Sequence, residues 1–457
     1  MSKLQPYTTY QPVQYDYVSQ LPDGWQLLPN IAIFRERIER GFDNEELLSV
    51  TIGKGVIRQS DVDIKKDSSN EDKSKYKLIK VGDIAYNRMR MWQGALGYSE
   101  YQGITSPAYV VLKPRMEINQ RFFHYMFRTG FYTNYSKRFS YGIVDDQLSL
   151  RYVDFKRMYS IVPPLETQNT IVAYLDRKTQ QIQEFIAKKE RLIELLEEQK
   201  ERLISNAISR GINQNIELKK TDDIWLKEIP KHWEFKPLKR YVKLNQYSIT
   251  EKTKPNYLLK YVDIGNVTFN GLLNEPEEIT FEKAPSRARR IVKSGDTILS
   301  TVRTYLKAIA FFDIANDNLI ASTGFAVLSP SKNIIPKYLK YLLSSSYFLH
   351  KVNFWAIGVN YPSINNDRLM SIKVAVPPTI EEQKVIIEFI EIELMNFEKT
   401  ISKAQTEIEK AKEYQESLIT QVVTGQLKVP EKSNASLGQN IELGMVAEAN
   451  GIYRSKH

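Results

Sequence analysis

The sequence predicts an α+β protein in which two similar mixed α/β heads are each followed by a long helix, and the two helices pair as an antiparallel coiled coil. This arrangement is an internal duplication with pseudo-two-fold symmetry. Two observations predict it: a set of short motifs occurs twice in the same order, and two long segments repeat apolar residues at coiled-coil spacing. The length of 457 residues agrees, because two or three domains are expected of such a chain.

Five short motifs carry the duplication, and their offsets stay between 208 and 216 residues. In order, the pairs are Leu21-Pro22 before Trp25 with Ile229-Pro230 before Trp233, VTIG at 50–53 with VDIG at 262–265, Gly82-Asp83 through Arg90 with Gly295-Asp296 through Arg303, ITSPAYVVLKP at 104–114 with IASTGFAVLSP at 320–330, and Val162-Pro163-Pro164 with Val376-Pro377-Pro378. A period this long excludes a solenoid, so one head-plus-helix unit has been duplicated.

Each head combines short strands with short helices. Residues 50–53, 297–301 and 325–328 are rich in β-branched or aromatic residues and predict strands. Residues 121–128 and 337–343 have the spacing of amphipathic helices, and the segments around Tyr141 and Gly358 indicate loops. The heads are expected over residues 1–160 and 213–374.

The two long helices are expected over residues 161–212 and 375–428. Their apolar seams are Ile171, Leu175, Ile182, Phe185, Leu192, Leu196 and Leu203 in the first, and Ile387, Ile390, Leu394, Phe397, Ile401, Ile408 and Leu418 in the second. Gly211 and Gly425 lie where each helix should end. At about 60 Å each, the helices can bury each other's seam if one runs back along the other, which puts a head near each end. Residues 429–457 are polar and aperiodic, and are expected to form a flexible tail.

Composition excludes several classes of protein. The chain has no cysteine, and its four histidines are widely spaced, so neither a disulfide framework nor a zinc site is expected. No signal peptide and no membrane-spanning run is evident, which predicts a cytoplasmic protein. The net charge of +10 favours a polyanionic partner.

The doubled motifs resemble the specificity subunits of type I restriction–modification enzymes over about residues 20–428. The segments that carry this resemblance are PPLETQ at 163–168 before Ile171, PPTIEEQ at 377–383 before Ile386, and the helix ends from Leu203 to Gly211 and from Leu418 to Gly425. The first copy departs slightly, with Thr167 where the second has Glu382.

The resemblance implies a division of labour. Each head is a target-recognition domain for one half of a split, asymmetric DNA sequence, and the helices set the spacer and dock two modification subunits. Those subunits bind S-adenosylmethionine and methylate adenine, and motor-nuclease restriction subunits use ATP and Mg²⁺. The chain itself then binds no cofactor or metal and catalyses nothing.

The residues agree with the absence of catalysis. The Pro-Pro pairs lack the amide and the aromatic residue of the Asn-Pro-Pro-aromatic motif of adenine methyltransferases, and indicate a strand end before a helix. Gly53-Lys54-Gly55 lacks the earlier glycine of a phosphate-binding loop. A fused methyltransferase is disfavoured because both repeats are used for heads. A coiled-coil scaffold with a nonspecific basic DNA-binding surface stays open as the alternative.

The candidate DNA-binding residues fall into three groups. After the Gly-Asp strands come Asn87, Arg88, Arg90, Trp92 and Gln93 in the first copy and Arg303, Tyr305 and Lys307 in the second. A basic cluster before the second strand comprises Arg287, Arg289 and Arg290, and two loops contribute Ser140, Tyr141 and Gly142, and Asn360, Tyr361 and Ser363. Arginine can bind guanine with two hydrogen bonds and amides can bind adenine. The plainer alternatives are a solvated basic loop, a core position for Trp92, and ordinary turns.

Overall fold

The computed structural model describes residues 4–15, 18–62, 73–143, 148–213, 215–269, 271–314 and 318–430. The chain divides into two compact units, Met1–Lys189 with Gln405–His457, and Glu190–Ala404. Each unit therefore contains one head and a segment of both long helices. The predicted tail lies outside the described residues from 431 onward.

The first unit is built from short strands and four short helices among its described residues. The strands are β1 Tyr10–Tyr15, β2 Val18–Pro22, β3 Gln26–Pro29, β4 Phe34–Glu36, β5 Leu48–Thr51, β6 Gly55–Arg58, β7 Lys77–Ile79, β8 Ile84–Asn87, β9 Leu96–Tyr98, β10 Gly103–Thr105, β11 Tyr109–Pro114 and β12 Tyr159–Val162. The short helices are α1 Asn30–Ile33, α2 Gln120–Phe127, α3 Gly130–Arg138 and α4 Tyr152–Phe155. The main sheet is antiparallel in the order β4-β11-β8-β9, and β12 pairs with β3.

The second unit repeats this plan and adds to it. Its strands are β13 Leu218–Lys220, β14 Glu228–Pro230, β15 Glu234–Pro237, β16 Val242–Leu244, β17 Leu258–Val262, β18 Val267–Thr268, β19 Gly271–Leu272, β20 Glu277–Thr280, β21 Ala288–Ile291, β22 Thr297–Ser300, β23 Ile309–Phe311, β24 Leu319–Ser322, β25 Phe325–Pro330 and β26 Lys373–Val376. The sheet β16-β25-β22-β23 matches the main sheet of the first unit, and β15 pairs with β26 as β3 does with β12. A second four-stranded sheet, β20-β17-β24-β21, contains a parallel pair, β17 with β24.

The helices of the second unit and the two long helices complete the fold. They are α6 Pro336–Ser344, α7 Ser346–Trp355, α8 Asn366–Ser371, and the long helices α5 Leu165–Arg210 and α9 Ile380–Val423. The long helices have 46 and 44 residues, and each lies within its expected range of 161–212 or 375–428. As predicted, each follows a strand and a Pro-Pro pair. Each ends before a glycine with positive φ, 72° at Gly211 and 75° at Gly425.

Gly425 also meets a close neighbour, which explains why a side chain is excluded there. A Cβ atom at this position would lie 2.6 Å from the Pro22 ring and 3.0 Å from Trp25. At Gly211, where the added Cβ atom would lie 3.5 Å from Trp233, the contact is an ordinary one and the positive φ is what favours glycine. The buried tryptophan that opens each head therefore packs against the end of a long helix. The helix that ends against the first head is α9, and the helix that ends against the second is α5.

A buried glutamine fastens the start of each long helix to its head. Gln168 Nε2 donates to the Pro163 carbonyl at 2.7 Å, and its Oε1 accepts from Asn119 N at 2.9 Å. Gln383 makes the same pair of contacts, with the Pro377 carbonyl at 3.3 Å and Ile335 N at 2.9 Å. Because a buried amide is stable only when its polar atoms are bonded, this position explains the glutamine of the Pro-Pro motif.

One predicted correspondence between the copies is wrong by two residues. Leu47 forms a parallel bridge with Ile104, and Tyr261 pairs in parallel with Ile320. Since Ile104 and Ile320 are aligned, Tyr261 corresponds to Leu47, and the alignment of residues 50–53 with 262–265 is out of register. In the second copy this strand is β17, an inner strand of the additional sheet β20-β17-β24-β21. The similar sequences of the two motifs therefore do not form the same strand pairing.

The seam residues are buried by the heads as much as by the opposite helix. In the first unit, Ile171, Leu175 and Leu418 belong to the apolar core of the head, whereas Ile182 and Phe185 meet Ala411 between the helices. In the second unit, Ile387 and Ile390 join the head core, and Leu203 and Leu394 pack against it. Leu192 is 37% exposed. The sheet-and-helix head offers each helix a wider apolar surface than a single helix does, which explains the difference from an uninterrupted coiled coil.

Within each unit the two helix segments run antiparallel. In the first unit, Ile182 and Phe185 cluster with Ala411, and further along α5 Lys189 pairs with the earlier residue Glu407 at 3.0 Å. In the second unit, Lys200 lies 3.9 Å from Glu398. The duplicated α+β architecture with paired antiparallel helices is confirmed.

Candidate nucleic-acid interface

In the first unit the turn after β8 carries the predicted residues in a compact bend. Asn87 Oδ1 accepts from Met89 N at 3.0 Å, and Trp92 Nε1 donates to the Met89 carbonyl at 3.2 Å. Arg90 is exposed and donates to Gln93 Oε1 at 3.1 Å. Trp92 is half-buried, so it is neither a core residue nor a free ring. The turn is held mainly by its own side chains, which leaves the arginine on the surface.

Arg88 occupies a more enclosed place in the same turn. Its side chain is half-buried, and its Nε is buried with no hydrogen-bond partner among the described residues. An unpaired buried donor costs about 1–3 kcal/mol. A hydrogen-bond acceptor on a ligand would satisfy this donor.

The second predicted loop of the first unit adjoins this turn. Leu150 N donates to the Arg88 carbonyl at 2.9 Å, so the chain returning from the loop is bonded directly to the turn. Tyr141 pairs with Ser149 through two backbone hydrogen bonds, and its ring lies 5.1 Å from Arg151 Cζ. Ser140 and Gly142 flank this tyrosine on the surface; the Ser140 hydroxyl donates to the Ser136 carbonyl at 2.9 Å. The structure therefore brings the two predicted groups of this copy together.

The second unit repeats the junction. Ile364 N donates to the Thr301 carbonyl at 2.9 Å, and Ile357 and Ser363 exchange two backbone hydrogen bonds. The Arg303 guanidinium lies 4.9 Å from the centre of the exposed Tyr361 ring. Asn360 is exposed beside it. Each head thus presents a loop tyrosine covered by an arginine, next to the turn that follows the Gly-Asp strand.

The three arginines before β22 have different positions. Arg287 is exposed, and its carbonyl accepts from Thr323 N at 2.8 Å, close to the Arg303 turn. Arg289 forms an ion pair with Glu251 at 2.6 Å. Arg290 is directed inward: it donates to Asn245 Oδ1 at 3.0 Å and to the Phe325 carbonyl, and burial lowers the pKa of its guanidinium. Of the three, Arg287 has the most accessible side chain.

Two basic residues of the second turn have a strained backbone. Arg303 and Lys307 have φ of 50° and 51°, a region that side chains other than glycine rarely adopt. At the position equivalent to Lys307, the first unit has Gly94, with φ of 83°. Glycine fits this conformation without strain. A lysine in its place is costly to the fold, and strain of this kind clusters at binding sites.

We therefore expect Lys307→Gly to weaken DNA binding without destabilising the fold. The substitution relieves backbone strain but makes the unfolded chain more flexible, so the free energy of unfolding should change by no more than about 1 kcal/mol. Binding to duplex DNA, measured by fluorescence anisotropy over a range of salt concentrations, should weaken. Lys307→Arg is the control that keeps the charge. Unchanged affinity in Lys307→Gly would exclude a DNA contact by this lysine.

Sequence reasoning missed two cations of the first unit. Lys137, on α3, lies 4.9 Å from the centre of the Trp92 ring, and Arg151 covers Tyr141. Their sequence positions, in a helix and beyond the loop, do not by themselves show that Lys137 contacts the turn and Arg151 the loop. The available signal was weak: both are basic residues close in sequence to the 140–142 loop.

The described residues contain no group of three or more histidine, cysteine, aspartate or glutamate side chains placed to hold a metal ion. His124 is half-buried and accepts from Tyr98 N at 3.1 Å. Burial lowers its pKa to about 3, so it is neutral at physiological pH. In the part of the chain that the structure describes, no helix has both the length and the apolar character needed to span a membrane.

Comparison with known proteins gives consistent matches. Residues 230–412 match the family model of the type I restriction modification DNA specificity domain. The MjaX specificity subunit of a type I restriction enzyme from Methanocaldococcus jannaschii is 23% identical over 439 residues, covering 90% of this chain and 96% of that protein. The HindI specificity subunit from Haemophilus influenzae is 29% identical over 131 residues, 28% of each chain.

Two solved structures share the fold. A chain from a structural study of complex assembly and conformational transition in the type I R-M system has a TM-score of 0.67 at 15% identity, covering 89% of this chain and 99% of its own. The HsdS subunit from Thermoanaerobacter tengcongensis has a TM-score of 0.52 at 16% identity, with coverage of 89% and 97%. At these identities the likeness concerns the fold.

Proposed function

We propose that the chain is a specificity subunit of a type I restriction–modification system and that its two heads read the two halves of a bipartite, asymmetric DNA sequence. The observation that carries the proposal is the junction repeated in each head, where an arginine covers a loop tyrosine beside the turn after the Gly-Asp strand. Arginine and aromatic side chains on a rigid turn suit base edges and phosphates in a DNA groove. The overall charge of +10 supports a polyanionic partner.

The chain reads DNA but does not modify it in this proposal. Methylation of adenine belongs to two modification subunits that bind S-adenosylmethionine, and cleavage to restriction subunits that use ATP and Mg²⁺. This chain contributes the DNA-binding heads and the two long helices. The helices set the spacer between the half-sites and carry the modification subunits.

An exposed apolar stripe on α9 supports docking of a modification subunit. Val385, Phe389, Ile392 and Met395 are 49%, 36%, 60% and 68% exposed and lie on one side of the helix. Acidic residues flank the stripe, among them Glu388, Glu391 and Glu393. This surface therefore suits an amphipathic partner helix with basic edges. Aligning Gln168 with Gln383 puts Thr170, Tyr174, Arg177 and Gln180 at the equivalent positions of α5. Tyr174 is buried and the other three are polar, so these positions do not form an equivalent exposed apolar stripe.

Exchange of one head tests bipartite reading. Residues 30–158 lie between the paired strands β3 and β12, so their replacement by the same part of a related specificity subunit keeps the tryptophan-to-helix contact. We expect the first half of the methylated sequence to change and the second half to stay. The measurement is genome-wide mapping of methylated adenine in cells that also express the modification subunit. Exchange of 238–372 is the reciprocal control, and a change in both half-sites from one exchange would contradict independent reading.

Arg303 tests base reading at a single residue. Its stack on Tyr361 and its strained backbone hold the guanidinium in one place, which favours a base contact over a loose phosphate contact. Arg303→Ala should weaken binding by about 1–3 kcal/mol and relax the choice of one base pair in the second half-site. The measurement is competition binding with a set of single-base variants. Arg202→Ala, on the exposed face of α5, is the control. An equal loss of affinity for all the DNA variants, with a smaller dependence of binding on salt, would show that Arg303 contacts a phosphate instead of a base.

A further inference from the structure

Each of the two candidate DNA-binding loops carries an exposed aliphatic side chain. Ile143 is 93% exposed and Val359 is 97% exposed. Each follows a glycine and comes two residues after the residue that closes the loop, Tyr141 in the first unit and Ile357 in the second. A single exposed aliphatic residue is ordinary on a protein surface. Two of them at corresponding points of a duplicated fold call for an explanation.

The correspondence rests on backbone contacts, not on loop sequence. In the first unit, Tyr141 and Ser149 close the loop with hydrogen bonds of 3.1 and 2.9 Å. In the second, Ile357 and Ser363 do so at 2.8 and 2.9 Å. The following residue is bonded in each case to the turn after the Gly-Asp strand. The loops differ in length and sequence, yet both present a β-branched aliphatic residue two residues after the first residue of the closing pair.

The surroundings indicate what these side chains meet. Arg151 covers Tyr141, which closes the first loop, and Arg303 covers Tyr361 within the second loop. A loop with an exposed aliphatic side chain and a tyrosine covered by a guanidinium group matches a ligand with an anionic exterior and an apolar, stacked interior. Double-stranded DNA has these properties, and proteins that kink it insert aliphatic side chains between base pairs. Ile357, which closes the second loop and is itself 63% exposed, adds another apolar side chain to this loop.

We propose that Ile143 and Val359 are wedges, each inserting between two neighbouring base pairs of its half-site and unstacking that step. This inference rests on the proposed function. Since a flexible pyrimidine–purine step opens more easily than other steps, each wedge adds sequence selectivity at a position where no hydrogen bond reads a base. The strain in the DNA is localised at one step in each half-site.

The test uses the full chain assembled with its modification subunits on duplexes that contain the methylated sequence mapped in cells. 2-Aminopurine, whose fluorescence rises on unstacking, replaces one base at a time across both half-sites. The adenines that undergo methylation are left out, because a methyltransferase extrudes them itself. We expect one bright step in each half-site. Val359→Ser should remove most of the signal in the second half-site and leave the first, and Ile143→Ser should do the reverse.

Three controls keep the outcome clear. Ile224→Ser alters an aliphatic residue of the second unit that is 69% exposed and outside the loops, and should leave both signals intact. Val359→Ile keeps the wedge and should keep its signal. Because the altered residues are almost fully exposed, folding should be unaffected, and the untouched half-site reports this in each sample.

The results separate the wedge from the proposed function. If the wild-type complex binds its sequence selectively but neither serine variant changes any fluorescence, the proposed insertion of Ile143 and Val359 is wrong. The proposal that the heads read the DNA sequence is then unaffected. If the wild-type complex shows no sequence-selective binding, the proposed function is wrong, and the wedge with it. Loss of both signals in a single serine variant would also contradict separate wedges.

Discussion

Removal of one heptad from each long helix is expected to abolish methylation of the original DNA sequence. If the helices set the separation of the heads, seven fewer residues in each bring the heads closer by about 10 Å. This corresponds to about three base pairs at about 3.4 Å each. Because B-DNA has about 10–10.5 base pairs per turn, three fewer also rotate one half-site by about 100° relative to the other. The complex then recognises a shorter spacer only weakly, since DNA twist has to restore the phase.

The structure indicates which heptads to remove. Lys189 pairs with Glu407 in one unit and Lys200 with Glu398 in the other, which places residues near 402 opposite those near 195. Residues 192–198 and 399–405 are therefore the matched pair. A heptad is nearly two helical turns, so the remaining seam drifts by only about 20°. Leu192 is partly exposed, which limits the packing lost.

The measurement is methylation by the assembled complex on DNAs that differ only in spacer length. Removal of residues 192–198 alone is the control for misfolding, because it shortens α5 and leaves α9 at its full length. A shortened complex that assembles, methylates and still prefers the original spacer would show that the helices do not measure the distance.

The second large effect is expected from the α9 stripe. The purified chain should neither bind S-adenosylmethionine nor methylate DNA, and methylation should appear when the modification subunit is added. Ile392→Asp with Met395→Asp should remove most of this activity, because a charge would have to be buried without a partner in the apolar contact. Both residues are exposed, so the fold should be unaffected.

The comparison is made by co-purification of the modification subunit and by methylation of the mapped DNA sequence. Ile224→Asp introduces the same charge at another exposed aliphatic position of the second unit and should have no effect. Methyl transfer by homogeneous chain alone would contradict the division of labour. Full activity in the double variant would show that the modification subunit docks on another surface.

Strands and helices were predicted well where the signal is local. The strand predicted at 325–328 extends to Pro330, and the helix predicted at 337–343 is Pro336–Ser344. The Pro-Pro pairs and the terminal glycines bracket both long helices as expected. These signals depend on the backbone preferences of single residues and on periodicity, both of which are present in the chain before it folds.

The candidate DNA-binding residues depended more on tertiary contacts. Arg287, Arg289 and Arg290 look alike in sequence, but the pairing of β21 with β24 is irregular between Ala288 and Arg290. Arg290 consequently bonds to Asn245 inside the head while Arg287 stays exposed. An irregular strand pairing depends on the neighbouring strand, so no local pattern predicts it.

By itself, the sequence determined that the chain is duplicated, that each copy is a head followed by a long helix, and where each helix ends. It did so because each of these signals, a short motif, a heptad spacing or a terminal glycine, can be recognised within a short stretch of sequence. Tertiary structure decided which side chains share a surface: Arg303 with Tyr361, Lys137 with Trp92, and the seam residues with the heads. Those contacts join residues far apart in the chain, and the packing of the sheets and helices in each head brings them together.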